Sequence, residues 1–183
     1  MIKHDSRETV ILQPTEEEKD LGVLVDKELK FSKHIETQVN KANRIVGLIR
    51  RSFTHLDRDN MRQLFIALVR PHLEFGNVAW APRLQKDKDL IESVLRRATR
   101  IIPGFKDREY TERLKKIRIP SMQYRRDRGD LIEVFKYTHN LYSVNMSLLN
   151  LDSTSTTRGH RFKLSKERCS LNLRQHFSSV RVV

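Results

Sequence analysis

Residues 32–53 of the chain, SKHIETQVNKANRIVGLIRRSF, carry a clear helical pattern. Its apolar residues recur at spacings of three and four, as they do along one side of an α-helix; they are Ile35, Val39, Ala42, Val46, Ile49 and Phe53. Ser32 precedes this stripe and is a residue type that caps helix N-termini. Lys33, Arg44 and Arg51 fall on the opposite side. The sequence therefore predicts a helix with a core side and a basic outer side.

The same periodicity predicts a second helix that Asp57 caps and Pro71 interrupts. Residues 71–82 either continue this helix with a kink or form a second short helix. A third helix is predicted over residues 87–102. The predicted core residues of these two helices are Met61, Leu64, Phe65, Leu68 and Val69, then Leu90, Ile91, Val94, Leu95, Ala98, Ile101 and Ile102. Arg96 and Arg100 lie away from the apolar stripe of the third helix.

Shorter and longer helical segments follow, and both ends of the chain differ from the middle. Pro103 and Gly104 close the third helix; further helices are predicted over about 110–116 and 121–142.

Two apolar runs, Thr9–Leu12 and Leu21–Val25, flank an acidic stretch and predict a β-hairpin within residues 1–31. Residues 152–183 open on a polar linker and carry a basic excess. The predicted fold class is mainly α: a helical bundle over 32–151, preceded by a short hairpin and followed by a basic, partly irregular tail.

Composition favours a polyanionic partner. The 183 residues include 36 Lys and Arg against 23 Asp and Glu, a net charge of +13. Charge of this size favours nucleic acid first and an anionic membrane second. Charges interrupt every apolar run, so no membrane span is expected. The single Cys169 and the polar start favour a nuclear or cytoplasmic protein.

The pairs Asp57/Asp59 and Asp87/Asp89 could hold a divalent metal, but both stand at predicted helix starts, where Asp caps free N–H groups. His160, Cys169 and His176 lack the fourth ligand of a zinc site. The sequence also has no Gly-rich phosphate loop, nucleophile elbow or His-Glu-x-x-His pattern, so nothing in it specifies a catalytic or metal site. The basic clusters are the stronger signal; they are Arg50–Arg51, Arg96–Arg97 with Arg100, Lys115–Lys116 with Arg118, and Arg125–Arg126 with Arg128.

Taken singly, each basic cluster is typical of a solvated helix exterior, whereas their shared sign favours a polyanion. Arg128 differs, because it projects toward Tyr124, Leu131 and Phe135 and is expected to form a buried pair. Phe75 and Trp80 are expected in the core, with base stacking as the alternative.

Several phrases, taken in order, resemble the C-terminal part of the reverse transcriptases of non-LTR (LINE-type, jockey-like) retrotransposons. They are Glu18–Val23, Leu29–Ile35, Lys41–Phe53, Leu68–Phe75, Trp80–Pro82, Val94–Thr99 and Tyr124–Asp130. The resemblance implies that Leu21, Gly22 and Val23 belong to a primer-grip hairpin and that the helices form a thumb. It also implies RNA-directed DNA polymerisation as the activity of the whole polymerase. The family's aromatic-x-Asp-Asp box and its Mg²⁺ ions belong to a palm that we expect upstream of Met1, and both ends of the chain resemble cut ends.

We therefore expect an inactive, thumb-like fragment that needs no cofactor and grips an RNA–DNA or DNA duplex without reading sequence. The candidate nucleic-acid-binding residues are Lys33, Arg44, Arg51, Arg96, Arg100, Arg125 and Arg126. One alternative is a helical protein-interaction module, which could dock to separate polymerase domains through an apolar patch around Phe162 and Phe177 or Phe75 and Trp80. A second alternative is a retroelement relic without function.

Overall fold

The computed structural model describes residues 14–142, 149, 162–165, 168–170 and 178–181. It is mainly helical with a two-stranded hairpin before the helices, so the predicted fold class is confirmed. The strands are β1 (Glu17–Asp20) and β2 (Val23–Asp26); the helices are α1 (Ser32–Ser52), α2 (Arg58–Leu64), α3 (Arg70–Glu74), α4 (Gln85–Arg100), α5 (Tyr110–Ile117), α6 (Met122–Thr138) and the short α7 (Ser178–Arg181), with a π-helical segment, Phe65–Val69, between α2 and α3.

The hairpin pairs β1 with β2 in antiparallel register, from Glu17 opposite Asp26 to Asp20 opposite Val23. Leu21 and Gly22 form the turn, with φ angles of 45° and 90°. Positive φ at both central residues is the conformation that suits a two-residue hairpin turn. The predicted strand Leu21–Val25 is confirmed from Val23 onward, but Leu21 and Gly22 belong to the turn, and Glu17–Asp20 supplies the partner strand. The predicted strand Thr9–Leu12 lies outside the described residues.

The start of α1 is held by Asp26 rather than by a capping serine. The N–H groups of Glu28, Lys30 and Phe31 donate to the Asp26 carboxylate at 2.6–3.1 Å. Burial opposes the ionised form, but these backbone donors outweigh it and lower the pKa of Asp26. Phe31 occupies the N-cap position with a left-handed backbone. The prediction that Ser32 caps α1 is wrong, because Ser32 is already the first helical residue.

Helix α1 supplies the centre of the core. All the predicted stripe residues from Ile35 to Ile49 are buried. Phe53 is the exception, at 45% exposed. The helix ends at Ser52 and the backbone of Phe53 is extended, so its side chain leaves the stripe.

Asp57 caps α2 as predicted, accepting the N–H of Asn60 at 2.7 Å. The chain then stays helical through Pro71 as far as Glu74, so the continued helix holds for residues 71–74, whereas residues 75–82 form turns and a loop. The Arg70 N–H donates to the Phe65 carbonyl five residues back. This wide turn lies just before Pro71 and accommodates its missing N–H and its ring. The core residues are accordingly spaced by four, at Met61, Phe65, Val69 and Leu73, while Leu68 turns outward.

Helix α4 packs along α1. Its stripe is buried at Ile91, Val94, Leu95 and Ala98, but Leu90 is 36% exposed at the edge of that stripe. Asp87 does not cap the helix, because α4 begins two residues earlier, at Gln85. Asp87 is instead buried and accepts the Ser32 hydroxyl at 2.8 Å.

Helix α6 begins at a true cap, since the Tyr124 N–H donates to Ser121 Oγ at 3.2 Å. The prediction that Arg128 is buried among apolar side chains is wrong. Arg128 is exposed, and so are Tyr124, Leu131 and Phe135. The side of α6 that carries Met122 and Arg126 packs against α4 and the core.

The hairpin and the loop before α4 share one core with the helices. Val23 belongs to the main hydrophobic cluster, and Trp80 is 1% exposed. The Trp80 indole N–H donates to the Phe75 carbonyl at 2.8 Å, as expected of a buried tryptophan. A Cβ on Gly22 would lie 3.3 Å from the Phe75 ring, so the hairpin turn contacts this loop. A patch made by Phe75 and Trp80 together is therefore ruled out.

Within the described residues, none of the helices is both long enough and apolar enough to cross a bilayer. The tail contacts α6 at two described points. Arg181 pairs with Asp130 at 2.7 Å, and the half-buried Phe162 ring lies 4.7 Å from the His139 ring. Phe177, His160 and His176 lie outside the described residues, and Cys169 is half-buried.

Candidate nucleic-acid interface

Two open grooves lie along the outer side of the α1–α4 pair. The larger groove, about 520 Å³, is lined by Val46, Gly47, Arg50, Ser93, Arg96, Arg97, Arg100, Ile101 and Lys106. The smaller groove, about 380 Å³, is lined by Asn40, Asn43, Arg44, Gly47, Arg51 and Arg97. Gly47 and Arg97 line both, so the two grooves adjoin.

The charge of these grooves is entirely positive. Seven of the lining residues are Arg or Lys and none is Asp or Glu. Among the described residues, none of these seven cations has a carboxylate within ion-pair distance. Their charges are therefore available to a ligand, and oxygen anions such as phosphates match guanidinium donors.

Arg96 is positioned by a network that joins three helices. Its guanidinium lies over the Tyr110 ring, 4.3 Å from the ring centre. The Tyr110 hydroxyl donates to Glu92, whose other oxygen accepts the Met122 N–H at 2.9 Å. Burial, followed by the hydrogen bond to Glu92, raises the pKa of Tyr110 far above its usual value. Tyr110 is thus a neutral platform that holds Arg96 at the groove.

Arg113 lies on the inner side of the same cluster and is 3% exposed. It donates to the Arg96 carbonyl at 3.0 Å and to the Thr99 hydroxyl at 2.9 Å. These acceptors lie near the C-terminal end of α4, where the helix dipole is negative, which explains a buried arginine without a carboxylate partner. Burial and then the charge of Arg100 lower the pKa of Arg113. Arg113 therefore adds positive potential beneath the groove without reaching a ligand.

Four of the seven predicted binding residues come together at these grooves. Arg44 and Arg51 line the smaller one, and Arg96 and Arg100 line the larger one. Lys33 does not join them, because it lies at the start of α1 and forms an ion pair with Glu17 of the hairpin.

The structure places the two predicted residues of α6 elsewhere. Arg126 is 5% exposed and donates to Gln123 Oε1 at 3.0 Å. Its prediction as a surface contact is wrong, because this side of α6 packs on the core. Arg125 binds both oxygens of Glu74 on α3, one of them at 3.0 Å. The hydrogen bond to that carboxylate raises the pKa of Arg125, whose charge is already paired inside the protein.

Three basic residues of the grooves are absent from the predicted set: Arg50, Arg97 and Lys106. The sequence carried a signal for the first two, because each stands beside a predicted arginine in a basic pair. Arg50 and Arg51 line different grooves, whereas Arg96 and Arg97 both line the larger one. Lys106 had no such signal, since it follows the turn at Gly104 and only the path of that loop brings it back to α1.

The predicted primer-grip residues form the hairpin turn and the first position of β2, and they line neither groove. Leu21 is 88% exposed at the tip, Gly22 adjoins Phe75, and Val23 is buried. In the part of the chain that the structure describes, no three His, Cys, Asp or Glu side chains form a group that could hold a metal ion.

Comparison of the chain with protein-family models, with curated proteins and with solved structures found no match. The class of site is accordingly taken from its own geometry: a wide, open, cationic surface on two packed helices.

Proposed function

We propose that this protein binds the sugar–phosphate backbone of nucleic acid on the α1–α4 face without reading base sequence. The observation that carries the proposal is the pair of joined grooves with seven cations and no acid. Binding of this kind gains free energy from the release of counterions that phosphates hold. The lining residues include no aromatic ring, which favours backbone contacts over base stacking.

The resemblance of the sequence to non-LTR reverse transcriptases supports a more specific role. On this proposal the helices act as the thumb of an RNA-directed DNA polymerase and hold a template–primer duplex, either RNA–DNA or DNA. Mg²⁺-dependent nucleotide addition would belong to a catalytic palm outside this chain. The site of action would be the nucleus or cytoplasm.

The test is a salt titration of binding to an RNA–DNA hybrid, a DNA duplex and heparin. Replacing Arg44, Arg51, Arg96 and Arg100 together by Gln should weaken binding to all sequences alike. The slope of log K against log salt should fall by up to about 0.9 for each lost phosphate contact on B-form DNA. Fluorescence anisotropy at four or more salt concentrations measures this slope.

A matched control removes four exposed cations that line neither groove: Arg62, Lys86, Lys115 and Arg128. The control should keep a steeper slope than the groove variant. Equal losses in both variants would mean that net charge alone drives binding. Mg²⁺-dependent primer extension by the purified chain would contradict the assignment of catalysis to a separate palm.

A second candidate function, docking to another protein, is favoured by the outer face of α6. Tyr124, Leu131 and Phe135 are 59%, 65% and 54% exposed and follow one another at helical spacing. An exposed apolar stripe of this kind is typical of a protein-binding surface. Polymerase domains on another polypeptide are the partner that the resemblance suggests.

Replacing Leu131 and Phe135 by Glu should abolish association with such a palm-domain polypeptide in sedimentation velocity. It should leave the salt slope for nucleic acid unchanged, because neither residue lines a groove. A loss of nucleic-acid binding without a change in association would contradict the docking role.

A further inference from the structure

Gly47 occupies an unusual place in the middle of α1. Glycine in a helix interior is less stable than alanine, because its backbone loses more conformational freedom on folding. A close packing contact would justify it, but among the described residues a Cβ at this position would meet only Arg51 Nη1, at 4.0 Å, apart from its chain neighbours and the backbone of α1 itself. Neither fold nor packing therefore requires a glycine here.

The position of Gly47 on the surface suggests a different reason. It is the one α1 residue that lines both grooves. Arg44, Arg50 and Arg51 lie three or four residues away along the helix and so surround it on the helix surface. Arg97 of α4 faces it from the other side. A ligand strand that extends from one groove into the other passes beside Gly47 and Arg97, the two residues that line both.

We propose that one sugar–phosphate strand crosses α1 at Gly47, with successive phosphates in the larger and the smaller groove. This inference rests on the proposed nucleic-acid function and adds the path of the ligand. The missing side chain lets the strand approach the helix backbone, which brings its phosphates within reach of Arg50 and Arg97 on one side and Arg44 and Arg51 on the other. A larger residue would hold the strand away from both groups of donors.

The test blocks the crossing without changing charge. Gly47→Leu should weaken binding to the RNA–DNA hybrid by about tenfold, equivalent to about 1.4 kcal/mol of binding free energy. Gly47→Ala should raise the thermal midpoint, as expected of alanine in a helix, and still weaken binding measurably. Circular dichroism checks the helices, and fluorescence anisotropy at fixed salt measures affinity. Should Leu disturb the fold, Gly47→Gln places a polar side chain of similar length at the same point.

Two matched controls separate steric blocking from changes in helix stability. Thr37→Leu places the same side chain at an exposed position of α1 that lines neither groove. Gly129→Ala removes the helical glycine of α6, where a Cβ would meet only Asn77, at 3.7 Å. Both should bind as the unaltered protein does.

The outcomes distinguish this path from the proposed function itself. Full affinity in a folded Gly47→Leu or Gly47→Gln variant, with loss in the four-arginine variant, would overturn the crossing and leave the basic face as the binding site. No binding by the unaltered protein would overturn both.

Discussion

His34 is a buried histidine whose environment requires the neutral ring. Its Nδ1 accepts the Leu24 N–H at 3.2 Å, which links α1 to β2, and its ring meets the edge of Trp80 with centroids 5.1 Å apart. Burial, and then the positive charge of Lys41, lower the pKa of His34 below 6.5. Protonation would place a charge in the core and remove the acceptor for Leu24.

This environment predicts a stability that depends on pH. The unfolded chain takes up the His34 proton near pH 6.5, whereas the folded chain resists it to lower pH, so the unfolded state binds more protons. The contribution of the neutral His34 ring to the free energy of unfolding should be complete above about pH 6.5 and decline as the pH falls below it. Urea unfolding at several pH values between about 5 and 8 measures this dependence.

His34→Gln should flatten this part of the pH profile, since Gln keeps an acceptor but does not titrate. His55→Gln, at an exposed position, serves as the control. A pH profile that stays unchanged in His34→Gln would show that His34 does not carry the effect.

At the scale of elements, the Ser32–Asp87 hydrogen bond joins the first turns of α1 and α4. Asp87 is 4% exposed, so its carboxylate depends on partners within the protein. Asp87→Ala should lower the free energy of unfolding by about 1–3 kcal/mol, and Ser32→Ala by about 1 kcal/mol. Because both variants remove the same bond, the double variant should cost less than their sum.

The control for this pair is Asp89→Ala, two residues along α4, where the carboxylate is exposed and accepts a hydrogen bond from Gln85 of its own helix. It should change the free energy of unfolding by no more than about 0.5 kcal/mol. Denaturant unfolding of the unaltered protein, the two single variants and the double variant provides the cycle. Additive costs for Ser32 and Asp87 would contradict a direct coupling of the two helices.

Element boundaries show where prediction from local sequence ends. The cap at Asp57 was predictable, because a capping hydrogen bond needs only the Asp57 carboxylate and an N–H group in the first turn of α2. The start of α1 was not predictable from Ser32, because the N-cap position falls on Phe31, whose N–H donates to Asp26. Leu68 was misplaced for a related reason: the π-helical turn before Pro71 changes the angular spacing on which the prediction relied.

At the scale of the whole molecule, α6 has one packed side and one open apolar side. Leu95 of α4, against which α6 packs, is 0% exposed, so Leu95→Ala should lower the free energy of unfolding by about 2–5 kcal/mol. The same substitution at Leu131, 65% exposed, should cost no more than about 0.5 kcal/mol. Urea unfolding compares the two directly, and similar costs would mean that the outer face of α6 is packed in solution.

The basic face also belongs to this scale, because no single element contains it. Arg44 and Arg51 come from α1, Arg96 and Arg97 from α4, and Lys106 from the loop beyond. Each helix alone carries a row of cations exposed to water. Packing of α1 against α4 turns those rows into two adjoining grooves, where several donors can reach one polyanion.

The helices, most residues of their core stripes and the excess of positive charge followed from sequence alone, because a period of 3.6 residues and net charge are local or additive properties. The tertiary structure reversed two expectations on α6, since Arg126 is buried and Arg128 is exposed on the helix as it packs. It also decided the hairpin register and the place of Gly47 between two grooves. These features depend on contacts between segments that are distant along the chain.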